Sequence, residues 1–221
     1  MKKFYTSLTL CLLSLIFCEA KTRLYKWERD EIRTIADAAI CYGGHTARNP
    51  YLWTPERFHE TVIYTDEKGQ EHWFFDNMIV MELWDDDYKV TYSIANDGRF
   101  SSRKEHWQRQ IDYWFDKQHG FAALEACIAD AAKRIGNPPT KRGIIFSLPD
   151  PVYFEHYTNA MKGTNRNTVY WGEAEGRELD FAKAEDRIAA YKWLIDAVRA
   201  KFAEAKYKHI ELVGFYVLSE E

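Results

Sequence analysis

The sequence predicts an α/β protein: a partial (β/α) TIM-barrel-like sheet of about four parallel strands, with a β-hairpin insertion. Three observations lead there. Short apolar runs rich in β-branched and aromatic residues recur, as suits strands buried on both faces. Between them lie segments with helical spacing of apolar residues, and that alternation argues for βαβ units. Neither a Gly-x-Gly-x-x-Gly fingerprint nor a P-loop accompanies any strand, so a dinucleotide-binding sheet has no support. At 221 residues with 46% hydrophobic content, the chain suits one domain with a sizeable core.

The first twenty residues read as a signal peptide. Lys2 and Lys3 form a basic start, Leu8 to Phe17 a short apolar run, and Cys18-Glu19-Ala20 a cleavage site with small residues at the positions a signal peptidase reads. The run is too short for an ordinary membrane-spanning helix. Secretion or a periplasmic location is the preferred reading. A lipid anchor on Cys18 is the alternative, disfavoured because Phe17 is bulky where a small residue is wanted. Residues 21–221 are then the folded domain. Of its two cysteines, Cys41 lies in a strand-like run and Cys127 in a helical one. Two buried free thiols are preferred over a disulfide, and their spacing matches no metal motif.

Ile35 to Tyr42 reads as the first strand, closed by Gly43-Gly44. The loop His45 to Pro55 follows at its carboxyl end. It brings together His45, Arg48, Tyr51 and Trp53, polar and aromatic groups of the kind ligand loops carry. Thr61–Thr65 and Gln70–Phe74 flank Asp66-Glu-Lys-Gly69 and predict the hairpin. Asp76 to Trp84 is a second buried strand, with Asp76, Met78, Val80 and Glu82 on one face. The acids Asp85-Asp86-Asp87 after a strand could bind a cation, but a solvated turn is the commoner case, and no metal or cofactor is assigned.

Ser102-Arg-Lys-Glu105 has the form of a capping box. A helix carrying Trp107, Ile111, Trp114 and Gln118 follows, then a second from Phe121 to Ile135, ended by Gly136. Gly143 to Leu148 is the third strand, stopped by Pro149-Asp150-Pro151. Asp150 therefore stands at a strand's carboxyl end, either as a turn residue or as a ligand carboxylate. Residues 152–180 read as a long irregular connection containing Asn167 and Trp171, and connections of that length are often functional. Ile188, Tyr191, Ile195, Val198 and Phe202 mark an amphipathic helix. The last strand lies in His209 to Glu221, an apolar stretch that ends in Glu220 and Glu221.

Cys41-Tyr-Gly-Gly-His-Thr46, Trp73-Phe-Phe-Asp76, Leu148-Pro-Asp-Pro151, Trp171-Gly-Glu173, Gly176-Arg-Glu-Leu-Asp-Phe181, Asp186 to Trp193 and Glu211-Leu-Val-Gly-Phe-Tyr216 occur in this order. Together they resemble the secreted bacterial family of domain of unknown function 4855. The resemblance implies a TIM-barrel fold akin to glycoside hydrolases and a place among polysaccharide-degrading proteins. It also implies a longer chain, of which this sequence is the N-terminal half, truncated after the fourth strand.

Glycoside hydrolysis needs two carboxyl groups, one protonated and one ionised. Ligands of parallel sheets bind beyond the strands' carboxyl ends. Glu220 is the candidate general acid, with Glu82 and Asp150 as the other strand-end acids. Tyr51, Trp53 and Trp171 are candidates for stacking on sugar rings, with His45, Arg48 and Asn167 bonding hydroxyls; Tyr216 shares a face with Glu220. The expected partner is a carbohydrate, either hydrolysed or merely bound by a non-catalytic module. A net charge of -4 gives no footprint for nucleic acid. Open edges of a four-stranded sheet predict self-association. His59, His72, His106 and His119 read as surface residues.

Overall fold

The computed structural model describes residues 37–46, 52–93, 100–151 and 170–218. The proposed signal peptide, the start of the first strand, Arg48, Tyr51, Asn167, Glu220 and Glu221 lie outside them.

The framework is a sheet of four parallel strands: β1 (Ala39–Tyr42), β4 (Asn77–Met81), β8 (Arg142–Leu148) and β11 (Ile210–Val217). They lie side by side in chain order, so each new strand is added to the same edge. The order never reverses, and the sheet therefore has no switch point of the doubly wound kind. Among the described residues, β1 and β11 are the outer strands and pair on one side only.

Alternation splits the sheet residues between two faces. Cys41, Met78, Val80, Ile144, Phe146 and Leu148 belong to one large core cluster. That cluster also holds Phe58 and Val62 of α1 (Pro55–Val62), Ile111 and Trp114 of α2 (Lys104–Trp114), Leu124 and Ile128 of α3 (Phe121–Ile135), and Leu194 and Val198 of α4 (Ala184–Ala205). All four helices among the described residues thus cover the same face. Pairing sets Tyr42 beside Met81 and Ser147 beside Tyr216, while Val80 sits beside Phe146. The opposite face consequently carries the row Tyr42, Met81, Ser147, Tyr216 at its carboxyl end, with Ile40, Ile79 and Ile145 one step below. No helix among the described residues covers it; at its β1 edge Ile40 and Tyr42 are 50% and 42% exposed, whereas Met81, Ile145 and Ser147 in the middle are buried.

Two segments expected to be loops are ordered elements. Thr54 caps α1 by accepting the Arg57 amide, and Pro55 occupies the first turn, where its missing N–H costs nothing. Tyr170–Ala174 (β9) and Arg177–Asp180 (β10) form an antiparallel hairpin inside the stretch read as irregular. Asp186 at the start of α4 accepts the Asp180 amide at 2.8 Å and pairs with Arg177, which ties this hairpin to the helix. The predicted hairpin is present as β2 (Ile63–Thr65) and β3 (Glu71–Trp73). Asp66 closes its turn by accepting the Lys68 and Gln70 amides. Short strands β5 (Trp84–Asp85), β6 (Val90–Thr91) and β7 (Phe100–Ser101) make a small sheet beyond the end of β4.

The expected capping box is shifted by one residue. Arg103 is the N-cap of α2, and the Nδ1 of His106 accepts its backbone N–H at 2.9 Å. Ser102 instead accepts the Trp107 indole N–H. His106 is therefore buried, contrary to the surface position expected for it. Burial of the ring holds its pKa below the ordinary histidine value. Gln118 falls beyond the end of α2. Cys41 and Cys127 are free buried thiols, and burial pushes their pKa values up to about 12 and about 11. Among the described residues no helix is long and apolar enough to cross a membrane.

Candidate functional site

The carboxyl ends of β1 and β4 converge on one buried carboxylate. The Gly43 amide bonds the Met81 carbonyl, which continues the β1–β4 pairing by one residue. The chain then turns through Gly44 at φ +92° and presents His45 to Glu82. The His45 backbone N–H donates to Oε1 of Glu82 at 2.7 Å, and its ring Nδ1 stands 3.3 Å from the same oxygen. Gly44 packs flat on the carboxyl group. A Cβ at this position would meet Cδ of Glu82 at 2.0 Å and both oxygens within 2.4 Å. Only glycine combines this φ with that approach.

Glu82 is 1% exposed, and its Oε2 has no hydrogen-bond partner among the described residues. Burial pushes its carboxyl above the usual range, opposed by the His45 hydrogen bonds and reinforced by the nearby charge of Asp85. A raised carboxyl of this sort can carry a proton or, equally, accept a cation that removes the desolvation cost.

Asp85 is the third member of the cluster. It is fully buried, so the first acid of the run read as a solvated turn is a core residue. Its Oδ1 accepts the amides of Asp87 and Tyr88, and Oδ2 accepts from Nε of Arg109 on α2 at 2.7 Å. Arg109 also pairs with Asp87 and lies over the Tyr88 ring. Nδ1 of His45 is 3.7 Å from Oδ2 of Asp85. One donor atom each from His45, Glu82 and Asp85 lies within 4.8 Å of the others. Arg109 and Tyr113 were not singled out by sequence reasoning, and Asp85 was read as part of a solvated turn, because the contact linking Asp85 to Arg109 spans 24 residues.

Above His45 opens a pocket of about 590 Å³. Its walls include Arg109 and Tyr113 of α2 and four carboxylates, those of Asp86, Asp87, Asp112 and Asp116. His119 also lines it, partly buried against Asp116, so it too departs from the expected surface position. His59 and His72 are largely exposed, as expected.

Asp150 follows β8 at the same end of the sheet. It is 3% exposed, and its amide donates to the Tyr92 carbonyl at 2.7 Å. The Tyr92 amide in turn bonds the Leu83 carbonyl, so one backbone residue clamps the ends of β4 and β8. Burial in the helix-covered layer pushes the pKa of Tyr191 on α4 well up, and the charge of Asp150 adds to the rise.

Glu82 and Asp150 are thus together at the carboxyl end, both engaged with the helix-side layer. Trp53 and Trp171 are core residues, a correction to their expected role in sugar stacking. The Trp53 indole N–H donates to the Tyr42 carbonyl, and its ring packs on Phe58 and Trp114 under the Arg57 guanidinium. Trp171 has no exposed surface and is packed among Trp107, Phe181 and Trp193. Tyr216 is half-buried on the uncovered face.

Fold and site define an α/β protein with a parallel sheet wound in chain order and acids gathered at its carboxyl end. The chain belongs to the family described as Domain of unknown function (DUF4855), whose model matches residues 37–221. No curated protein and no solved structure matches it.

Proposed function

We propose that this chain is a carbohydrate-active (β/α) protein of glycoside-hydrolase type, taking a polysaccharide across the uncovered face of its sheet at the carboxyl end. Strands added in chain order with every helix on one face are how a (β/α) barrel is built, and the face away from the helices is the interior of such a barrel. The observation that carries the reading is the row Tyr42, Met81, Ser147, Tyr216. It sets an exposed Tyr42 and a half-buried Tyr216 on either side of the buried Met81 and Ser147. A tyrosine ring offers an apolar face for a sugar and a hydroxyl for its polar edge.

In this proposal Glu220 is the proton donor, because its spacing of four residues from Tyr216 would suit the same side of an extended chain. Arg48, Tyr51 and Asn167 contribute hydrogen bonds and a ring from their connections, and His45 with Glu82 and Asp150 holds the strand ends. The basic-then-apolar N-terminal segment supports an extracytoplasmic location. A second reading, glycan binding without turnover, is favoured by one observation. The tyrosine row carries no carboxylate among the described residues, because Glu82 and Asp150 are engaged on the helix side.

The test is calorimetric titration of an oligosaccharide panel, with reducing ends measured in parallel. Binding weakened about tenfold or more, roughly 1.4 kcal/mol, by Tyr42→Ala or Tyr216→Ala supports the site. Loss of reducing-end release with retained binding in Glu220→Gln supports turnover. Binding with no release by the unaltered protein selects the second reading. No binding to any member of the panel overturns both.

A further inference from the structure

We propose that His45, Glu82 and Asp85 form a binding site for a divalent transition-metal ion of the Zn2+ or Mn2+ type. The site lies behind the strand ends on the helix side and does not rest on the carbohydrate reading. The donor set is one imidazole nitrogen and two carboxylates, which suits borderline cations better than Ca2+, whose sites are made of oxygen alone. Nδ1 of His45 stands 3.3 Å from Glu82 and 3.7 Å from Asp85. A tetrahedral ion with bonds of about 2.0–2.1 Å needs its ligands roughly 3.3 Å apart, which the two separations from His45 (to Oε1 of Glu82 and Oδ2 of Asp85) approach, and all three donors lie within 4.8 Å of one another.

A second, independent feature points to a ligand. Oε2 of Glu82 is fully buried with no hydrogen-bond partner among the described residues, although Oε1 is held by His45. Native proteins rarely leave such an oxygen unmatched. A bound cation satisfies it and offsets the cost of burying two carboxylates together. Arg109 then acts from outside the ligand set, fixing Asp85 through its Nε. Gly44 keeps the carboxyl group of Glu82 in place by lacking the Cβ that would fill that space. Entry is through the pocket above His45, whose four aspartates against one guanidinium attract cations. The remaining coordination positions face that pocket and are filled by water.

The experiment uses the full chain, dialysed against chelator and titrated separately with Zn2+ and Mn2+ by calorimetry, with the melting temperature followed alongside. One equivalent is expected to bind with micromolar or tighter affinity and to raise the melting temperature. Glu82→Gln and Asp85→Asn are expected to weaken binding at least tenfold, while Glu204→Gln, exposed on α4 and not part of the pocket wall, leaves it within about threefold. Because either ligand variant can compromise folding, the unaltered protein supplies a second readout. Mn2+ at substoichiometric amounts should broaden the NMR ring signals of His45 and spare those of His59 and His72. No saturable binding overturns the proposal. So does affinity unchanged in both ligand variants, or broadening centred on His59 or His72.

Discussion

Gly44→Ala is the sharpest perturbation of the strand-end cluster. Two costs are built into the position. The φ of +92° strains any residue with a Cβ by about 1–2 kcal/mol. The new methyl also lands 2.0 Å from Cδ of Glu82, so the carboxyl group must leave its place. Displacing it overpacks the core by about 1–3 kcal/mol and gives up the His45 amide hydrogen bond, worth about 1 kcal/mol more. The expected loss is therefore about 3–6 kcal/mol, read as a fall in the urea midpoint at constant slope.

Gly69→Ala supplies the control. Gly69 has a φ of +79° with nothing within 4 Å of a built Cβ, so it carries the backbone cost alone, about 1 kcal/mol. Repeating Gly44→Ala in a Glu82→Ala background removes the clash, and the two substitutions should then couple by about 2 kcal/mol or more. If Gly44→Ala costs no more than Gly69→Ala, or if no coupling is seen, the packing of Gly44 on the buried carboxyl is not what holds this turn.

Other predictions follow from buried polar groups. The folded-state pKa of His106 is lowered by burial, so the native protein binds fewer protons there than the unfolded chain. Its contribution is complete above the unfolded value of 6.5 and is lost as pH falls below it. Urea midpoints at pH 7.5 and 5.5 should differ less for His106→Gln than for the unaltered protein; an identical pH response would refute the assignment. Arg142 is wholly buried, pairs with Asp76 and lies over the Trp73 ring. Removing the carboxylate in Asp76→Ala leaves a buried guanidinium short of its counter-charge. Because Asp76 is 41% exposed, solvent moderates the loss to about 2 kcal/mol, measurable by the same unfolding assay.

The parallel sheet was legible because each of its strands is a short apolar run bounded by turn residues. His45, Glu82 and Asp150 were legible for the same reason, since each stands just past such a run. What local pattern concealed was burial decided by distant partners. Asp85 belongs to three consecutive acids and looks solvated, yet Arg109, a helix away, and two backbone amides make it a core residue. Trp53 and Trp171 sit outside the regular apolar patterns and so resembled binding-loop aromatics. The first is drawn inward by the Tyr42 carbonyl, the second by a hairpin that the sequence does not announce. His106 reads as a surface histidine until the N-cap moves to Arg103 and its ring becomes the cap. Conversely, Tyr42 looked like an interior strand residue, whereas pairing sets it on the uncovered face beside Met81.

The most direct test of the proposed function is the crystallographic position of a bound oligosaccharide. The account predicts density for sugar rings over the Tyr42, Met81, Ser147, Tyr216 row, with one ring stacked on a tyrosine face. Sugar bound on the helix-covered side, or none at saturating concentration, would contradict it.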